Sequence, residues 1–441
     1  MSRSYDNPER RYISVRQKFA ISHSAALIWM VFSILVSLPW LNDFARFITL
    51  PGALLIIAGI SYVPGYMNAF MVTSLLLDRQ PSLSFECPEL PVTVLVACHN
   101  EERGIRTTLA YLAEQQYPGP IKVIVIDNNS SDRTAEWARA AGRELEMDLL
   151  VIGENKPGKH HALNTALGFV ETELMITLDA DTLLHKLALK HIVTRMAMAP
   201  PDICAVAGAM LVRNSRHNFW AKIQEWDYFL GIASIKRLQG MFQGTLVAQG
   251  AFSLYKTEAV REVEGWPDAI GEDIVLTWKF LANRRRVYFE PLAVAFTDVP
   301  ESFRHLVRQR SRWARGMIEA LKFLKPWNQP SVYAKYLTGC NLVMPYLDLV
   351  YTFCWLPGLV LACFGYYWIV GPATLLVLPL TFLQNYILYR YQKRVFQTLN
   401  LRIRQNLFGF FAYVLAYQMV MSPVSVYGYV QELLQRQRIW K

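Results

Sequence analysis

Five long apolar segments constrain the fold of this chain more than any other feature. Two precede and three follow a stretch of ordinary globular composition, and they cover residues 25–41, 51–77, 342–365, 367–389 and 408–430. Since a membrane-spanning helix needs about 20 mostly apolar residues, each segment is a candidate span. Charged residues make up 18% of the 441 residues, against about 25% in soluble domains. The sequence therefore predicts a multi-pass membrane protein with one large soluble domain.

The distribution of basic residues predicts the orientation of these spans. Lys and Arg outnumber Asp and Glu by 45 to 35, and most of the excess flanks the apolar segments, near the N-terminus and between residues 389 and 405. This pattern follows the positive-inside rule, so we favour a membrane protein with a cytoplasmic soluble domain over a nucleic-acid-binding protein.

We predict four parts of the chain: two spans in 1–78, a cytoplasmic domain in 79–300, an interfacial helix in 301–330, and further spans in 331–441. Three crossings after the domain would leave the basic C-terminal tail outside. Either the tail breaks the rule or one segment does not cross, and 333–348 is our candidate for that segment.

Short apolar runs alternate with helical patterns in the soluble stretch. The runs cover 92–97, 121–126, 149–152 and 175–178, and the helical patterns cover 105–116, 134–141 and 162–170. Buried parallel strands have this length and composition, so the alternation predicts an α/β domain with a mostly parallel sheet. Ligands bind beyond the carboxyl ends of such strands. Asp127 and Asp179 directly follow the second and fourth runs, so we expect a site at that edge.

Two carboxylates separated by one small residue, Asp179 and Asp181, are candidate ligands of a divalent cation. Carboxylate oxygens suit a divalent cation that prefers oxygen ligands, and such a cation also binds a diphosphate. The same spacing occurs by chance and in turns. Its position after a buried strand favours the metal site.

Candidate nucleotide contacts lie in the next two loops. Asp132 is expected to cap a helix, which leaves Asp127 to accept hydrogen bonds from a nucleobase. Neither a GxGxxG motif nor a Walker lysine accompanies these loops, which argues against Rossmann and P-loop enzymes. Lys159 opens the following helix and either binds phosphate there or belongs to a solvated basic turn.

Two later segments carry further candidates. Glu272 and Asp273 precede an amphipathic helix, where Asp273 is either a general base or an acid that favours the helix N-terminus. A basic amphipathic helix over 303–324 is predicted to lie at the membrane surface.

Taken in order, these segments resemble the processive family 2 glycosyltransferases of bacterial membranes. The matching residues are Asn100-Glu101-Glu102, Asp127, Asn155 with Gly158-Lys159, Asp179-Ala180-Asp181, Gln249-Gly250-Ala251-Phe252, Gly271-Glu272-Asp273 and Gln309-Arg310-Ser311-Arg312-Trp313. The stretch 222–237 especially resembles the poly-β-1,6-N-acetylglucosamine synthases of biofilm matrices. Departures are Asn128 and Asn129, where the family usually has Asp and Gly, together with Cys98-His99 and Glu264-Gly265. Contacts to the base could differ at the departures that lie near the uridine.

The resemblance implies a GT-A-like fold and inverting transfer from a UDP-sugar, UDP-GlcNAc above all, onto a growing polysaccharide. Implied donor contacts are Asn100, Glu101, Asp127, Lys159, Asp179, Gln309 and Arg312. Implied acceptor contacts are Gly250, Phe252, Glu272 and Trp313, and the implied general base is Asp273. Mg²⁺ or Mn²⁺ is expected on Asp181 and Asp179.

The resemblance also implies residence in the bacterial inner membrane with a cytoplasmic catalytic domain. Membrane lipid, the exported polymer and a small membrane accessory subunit are the implied partners, and nucleic acid is not. Alternatives that remain open are a hyaluronan- or chitin-type synthase, transfer of a single sugar to a lipid carrier, and an inactive membrane scaffold. A transporter is disfavoured because few charges lie within the spans.

Overall fold

The computed structural model describes residues 13–78, 86–371, 375 and 377–436. Among these, residues 13–78 and 340–434 form one compact unit, here called the membrane unit. Residues 86–339 and 435–436 form a second unit, here called the α/β unit.

The membrane unit is built from long apolar helices. Within the described residues, four helices are long and apolar enough to cross a membrane: Val15–Ala45, Leu50–Leu76, Val332–Cys363 and Leu407–Leu433. They correspond to both predicted N-terminal spans and to the first and last predicted C-terminal spans. The remaining predicted segment, 367–389, falls partly on residues outside the description, and a helix over Val377–Thr398 begins within it.

The bounds of these helices include several π-helical turns. The elements are α1 Val15–Ala45, α2 Leu50–Ile57, α3 Val63–Leu76, α13 Val332–Val350, α14 Leu356–Cys363, α15 Val377–Thr398, α16 Leu407–Ala412 and α17 Gln418–Leu433. The π-helical turns Ala58–Tyr62, Tyr351–Trp355 and Tyr413–Tyr417 join α2 to α3, α13 to α14 and α16 to α17. Polar side chains inside this unit bind one another. The Asp348 carboxylate, for instance, accepts hydrogen bonds from Ser422 and Tyr429, each at 2.7 Å. Such pairing is needed where no water is available.

The α/β unit contains one eight-stranded sheet in its described part, with strand order β3-β2-β1-β4-β7-β6-β8-β5. The strands are β1 Val92–Cys98, β2 Ile121–Asn128, β3 Asp148–Glu154, β4 Leu174–Asp179, β5 Leu183–Leu184, β6 Ile203–Val212, β7 Phe252–Lys256 and β8 Arg286–Thr297. The first four strands are parallel, and β7 runs antiparallel to both of its neighbours. The predicted fold class is thus confirmed, and the four predicted strands are all present.

Helices cover both faces of this sheet. They are α4 Ile105–Ala113, α5 Thr134–Glu144, α6 Lys159–Leu167, α7 Ala188–Ala197, α8 Phe219–Trp226, α9 Ala233–Met241, α10 Thr257–Glu262, α11 Glu272–Ala282 and α12 Phe303–Phe323. A π-helical turn, Asp227–Ile232, joins α8 to α9, and a short 3₁₀ turn, Pro326–Asn328, follows α12. Buried residues form one apolar cluster on each face, and every residue of β1 except the half-buried Ala97 is buried.

The register of the parallel strands brings their carboxyl ends to one edge. Cys98 of β1 pairs with Asp127 of β2, and Ala97 pairs with Asp179 of β4. Asp127 and Asp179 therefore flank the end of the central strand, as the sequence predicts.

Candidate active site

The loops after β1 and β2 bind each other. Asn100 has a positive φ of 57°, and its side-chain oxygen accepts a hydrogen bond from the Ser131 N–H at 2.8 Å. The Glu101 N–H donates to the Thr134 hydroxyl at 2.8 Å. The Asn100 side chain thus holds the neighbouring loop in place. Its implied contact with the donor stays a prediction.

Asp127 offers a buried acceptor at this edge. Its Oδ1 is buried and has no hydrogen-bond partner among the described residues. A buried polar atom without a partner costs about 1–3 kcal/mol, so a ligand that supplies a donor here is favoured. The N–H of a nucleobase is such a donor.

Asn128, which departs from the usual family residue, has a structural role. Its side chain is fully buried, donates to the carbonyls of Glu154 at 3.2 Å and Lys156 at 2.7 Å, and accepts from the Gly158 N–H at 2.8 Å. A carboxylate at this position could not donate to either carbonyl. The departure therefore has a role within the protein, which is to hold the loop before α6.

Lys159 is at the centre of the site. Its side chain is 14% exposed, hydrogen-bonds Asp179 and lies 4.0 Å from Glu272 Oε1. Burial disfavours the charged amine, but Asp179 and Glu272 outweigh it and raise the Lys159 pKa. A solvated basic turn is therefore excluded. A Cβ added at Gly250 would lie 2.6 Å from Nζ, so a side chain there would displace the Lys159 amine from its present position.

Asp181 has the environment expected of a carboxylate that binds a cation. Part of the residue is exposed to solvent, but the carboxylate is surrounded by protein. This burial, followed by the charges of Asp179 and Glu101, raises the Asp181 pKa to about 6. No group of three or more His, Cys, Asp and Glu side chains in the described ranges could hold a metal by itself. A divalent ion here would take one or two carboxylates from the protein and its other oxygen ligands from a diphosphate and water, which is usual for Mg²⁺. The residues fit such an ion.

Glu272 and Asp273 form the first turn of α11. Asp273 accepts from the N–H of Ile274 at 2.8 Å and from the N–H of Gly250 at 3.3 Å. Burial, followed by the Asp273 charge, raises the Glu272 pKa to about 7. Adjacent carboxylates with different burial can divide the acid and base roles, and Asp273 is the one held by backbone donors.

Helix α12 packs against the start of α11. The Glu319 carboxylate accepts from the Ile270 N–H at 2.6 Å and from the Gly271 N–H at 3.4 Å. A Cβ on Gly271 would lie 2.9 Å from the Cα of Gly316, so the two backbones nearly touch. This contact brings the segment that contains Trp313 next to Asp273.

Three further residues are predicted to contact a ligand: Gln309, Trp313 and Phe252. The Gln309 Oε1 is buried and has no hydrogen-bond partner in the described part of the chain, so it is available to a ligand. Trp313 is 41% exposed. Phe252, predicted to contact an acceptor, is fully buried on β7, a strand between two others with both faces covered. The Phe252 side chain therefore gives no surface to an acceptor here, and its implied contact stays a prediction.

Sequence reasoning missed residues that position the site. Glu319 holds the start of α11, and Thr277 donates to the Asp273 carbonyl at 2.6 Å while its hydroxyl accepts from the Ala248 N–H at 2.9 Å. Neither residue belongs to a motif. One feature of the sequence could have pointed to Glu319: it is an acid on the otherwise basic helix α12, about two turns after Trp313.

Known proteins resemble this chain in sequence and in fold. Poly-β-1,6-N-acetyl-D-glucosamine synthase of Staphylococcus aureus is 33% identical over 246 residues, which are 56% of this chain and 58% of that protein. The Staphylococcus epidermidis protein of the same name is 30% identical over 268 residues, 60% of this chain and 64% of that one. The matched region thus spans less than two thirds of these relatives.

A solved structure extends the likeness in fold. Mannosyltransferase PcManGT from Pyrobaculum calidifontis, in complex with GDP-Man and Mn²⁺, superposes with a TM-score of 0.61 and 20% identity, over 87% of this chain and 98% of that one. Residues 88–316 match the family described as glycosyltransferase-like family 2. This range contains the sheet, the loops at its carboxyl edge and the start of α12, and the chain belongs to glycosyltransferase family 2.

Proposed function

We propose that this chain transfers N-acetylglucosamine from UDP-GlcNAc to a growing β-1,6-linked polysaccharide and passes the polymer across the membrane. The observation that carries the proposal is the cluster of Lys159, Asp179, Glu272 and Asp273. The cluster contains a cation that would bind phosphate (Lys159), a carboxylate next to the expected metal ion (Asp179) and a candidate general base (Asp273). The names of the staphylococcal relatives support the choice of sugar and linkage.

The carboxyl edge of the sheet would bind the nucleotide. Asp127 Oδ1, buried without a partner among the described residues, would accept from the uracil N–H. Lys159 neutralises Asp179 and retains further N–H donors for a phosphate oxygen. Gln309 and Arg312 would add contacts to the diphosphate from α12.

A divalent ion would be held by Asp181, with Asp179 beside it. When bound, Mg²⁺ or Mn²⁺ supplies neutralisation of the negative charge on the diphosphate. The raised pKa of Asp181, caused by its burial and by neighbouring carboxylates, supports a bound cation.

Asp273 would remove the proton from the acceptor hydroxyl. That oxygen forms a bond to C1 of the sugar on the face opposite the diphosphate, the bond from C1 to the phosphate oxygen breaks, and UDP leaves with the electron pair. One displacement of this kind converts an α-linked donor into a β-linkage. The two N–H groups on Asp273 hold the carboxylate beside Gly250, the position implied for the acceptor.

Contacts within the membrane unit support the predicted topology. The Trp40 indole donates to the Trp368 carbonyl at 2.8 Å, which puts residue 368 near the far end of α1. The Tyr391 hydroxyl donates to the Leu75 carbonyl at 2.9 Å, close to where α3 ends. We therefore expect a reporter fused after Gly371 to be periplasmic and one fused at Gln397 to be cytoplasmic, and the reverse pattern would contradict this topology.

The side of the C-terminal tail is a separate question. Arg315 of α12 donates to the Arg436 carbonyl at 2.8 Å, which supports a tail on the side of the α/β unit. An even number of crossings would satisfy this and the positive-inside rule together.

Membranes that contain the full chain test the proposal. UDP-GlcNAc, UDP-GlcA and UDP-glucose are supplied separately with Mg²⁺ or Mn²⁺, UDP release is measured, and any product is examined by linkage analysis. The matched control is the same membrane with Asp273→Asn. We expect a β-1,6-linked polymer from UDP-GlcNAc alone.

The other outcomes separate the alternatives. Use of UDP-GlcA, or a β-1,4-linkage, would indicate a hyaluronan- or chitin-type synthase. A product with one sugar on a lipid would indicate a non-processive enzyme. No UDP release with any donor would indicate an inactive scaffold.

A further inference from the structure

A buried ion pair lies beside Trp313. Asp227 Oδ2 and Arg310 Nη2 are 2.7 Å apart, and their side chains are 12% and 11% exposed. Asp227 begins the π-helical turn between α8 and α9. π-helical turns are rare in proteins, and those that occur are often found at functional sites.

The arginine of this pair covers one side of the tryptophan. Arg310 Cζ lies 4.2 Å from the ring centroid of Trp313 and 5.7 Å from that of Tyr228. The Tyr228 and Trp313 centroids are 6.4 Å apart. Tyr228 is buried, whereas Trp313 remains 41% exposed. One side of the indole therefore packs against protein, and its exposed part is open to a ligand.

Tyr228 lies close enough to both the pair and the site described above for their charges to act on it. Burial and the charges of Asp227 and Asp181 raise the Tyr228 pKa, Arg310 and Arg312 lower it, and the net result is a pKa of about 12. Tyr228, which packs beside the Asp227–Arg310 pair, therefore lies close enough to Asp181 for its charge to act on it. If Asp227 were neutralised, the buried Arg310 charge would lose the carboxylate that lies 2.7 Å from it, which disfavours the present geometry.

We propose that Asp227 and Arg310 form a clamp that fixes the Trp313 indole in one orientation, so that an acceptor sugar stacks on its exposed face only. Both are positioning residues that act through Trp313. The inference deepens the proposed function, since it rests on Trp313 as the acceptor platform.

Kinetics of the full chain in membranes provide the first test. The variants are Asp227→Asn, Arg310→Gln and Arg310→Lys, and the matched control is Arg308→Gln, an exposed arginine on the same helix. The donor is whichever sugar nucleotide the parent uses, and the acceptor is an oligosaccharide of the parent product. Loss of a desolvated cation–π contact predicts an acceptor KM about tenfold higher and shorter polymer, with the donor KM unchanged.

Arg310→Lys separates the two parts of the clamp. Lysine keeps the charge opposite Asp227 but loses the planar group that stacks on the indole. We expect it to raise the acceptor KM nearly as much as Arg310→Gln while retaining more thermal stability. In a Trp313→Ala background, Asp227→Asn should add no further change. An additional tenfold change there, or an equal rise in donor and acceptor KM, would overturn the proposal.

A second measurement does not depend on activity. Full-length protein in nanodiscs is labelled with 5-fluorotryptophan, and the Trp313 ¹⁹F resonance is assigned with Trp313→Phe. We expect this resonance to shift and broaden in Asp227→Asn but not in Arg308→Gln. An unchanged resonance would refute the clamp even in a preparation with no transfer activity, whereas absence of transfer in the parent would refute only the proposed function.

Discussion

Asp273→Asn distinguishes the two explanations of this carboxylate, general base or helix-end charge. In the structure Asp273 Oδ1 accepts from Ile274 at 2.8 Å, and Oδ2 accepts from Gly250 at a longer 3.3 Å. Asparagine retains one oxygen for the shorter bond and loses the other acceptor. It also loses the negative charge in the first turn of α11.

The two explanations predict effects of different size. The charge at a helix N-terminus is worth about 0.3–1 kcal/mol, and a weakened hydrogen bond adds about 0.5–1.5 kcal/mol. These losses are small against a total stability of about 5–15 kcal/mol. Loss of a general base instead slows the reaction about 10²–10⁴-fold. We therefore expect Asp273→Asn to fold, insert and bind UDP-GlcNAc like the parent but to transfer sugar at least about 100-fold more slowly.

Three measurements on the same membranes decide the question. They are the thermal midpoint, the UDP-GlcNAc dissociation constant and the rate of sugar incorporation at saturating donor. The matched control is Glu136→Gln, which removes an exposed acid from the first turn of α5, a helix of 11 residues like α11. The control should match the parent in all three measurements. If Asp273→Asn keeps more than a tenth of parent turnover, Asp273 is not the base and Glu272 becomes the candidate.

Three further variants test the metal, the packing and the buried carboxyl. Asp181→Ala should abolish transfer, as excess chelator should in the parent, and full turnover in chelator would contradict a metal on this residue. Gly271→Ala should lower the thermal midpoint by several degrees because its Cβ would lie 2.9 Å from the Gly316 Cα, whereas Gly153→Ala, where a Cβ meets nothing within 4 Å, should not. The Glu272 pKa is raised from 4.5 to about 7 by burial, so the stability of the parent should fall as pH rises through this window. In Glu272→Gln the fall should be smaller and come mainly from Asp181, whose pKa is raised to about 6. Identical pH profiles of parent and variant would refute the role of Glu272.

Local patterns determined much of this protein. The apolar segments are long enough to identify spans by length alone, and short buried runs between helical patterns identify β1 to β4. Because parallel strands end at one edge, the sequence also predicted that Asp127 and Asp179 lie together, and the register confirms it.

Only the tertiary structure decided what surrounds each side chain. Lys159 could bind phosphate or face water, and its burial between Asp179 and Glu272 excluded the second. Phe252 belongs to a matching motif, yet its side chain packs into the apolar cluster on one face of the sheet and is fully buried.

The contacts that position the site join residues far apart in the chain. Glu319 binds the N–H groups before α11, and Asp227 holds Arg310 against Trp313. Helical and strand periodicity reports which face of one element is apolar, but not which distant element covers that face. For this reason the sequence predicted which candidate residues lie at the site, and the packing of the Asp227–Ile232 turn and of α11 against α12 decided how they are held.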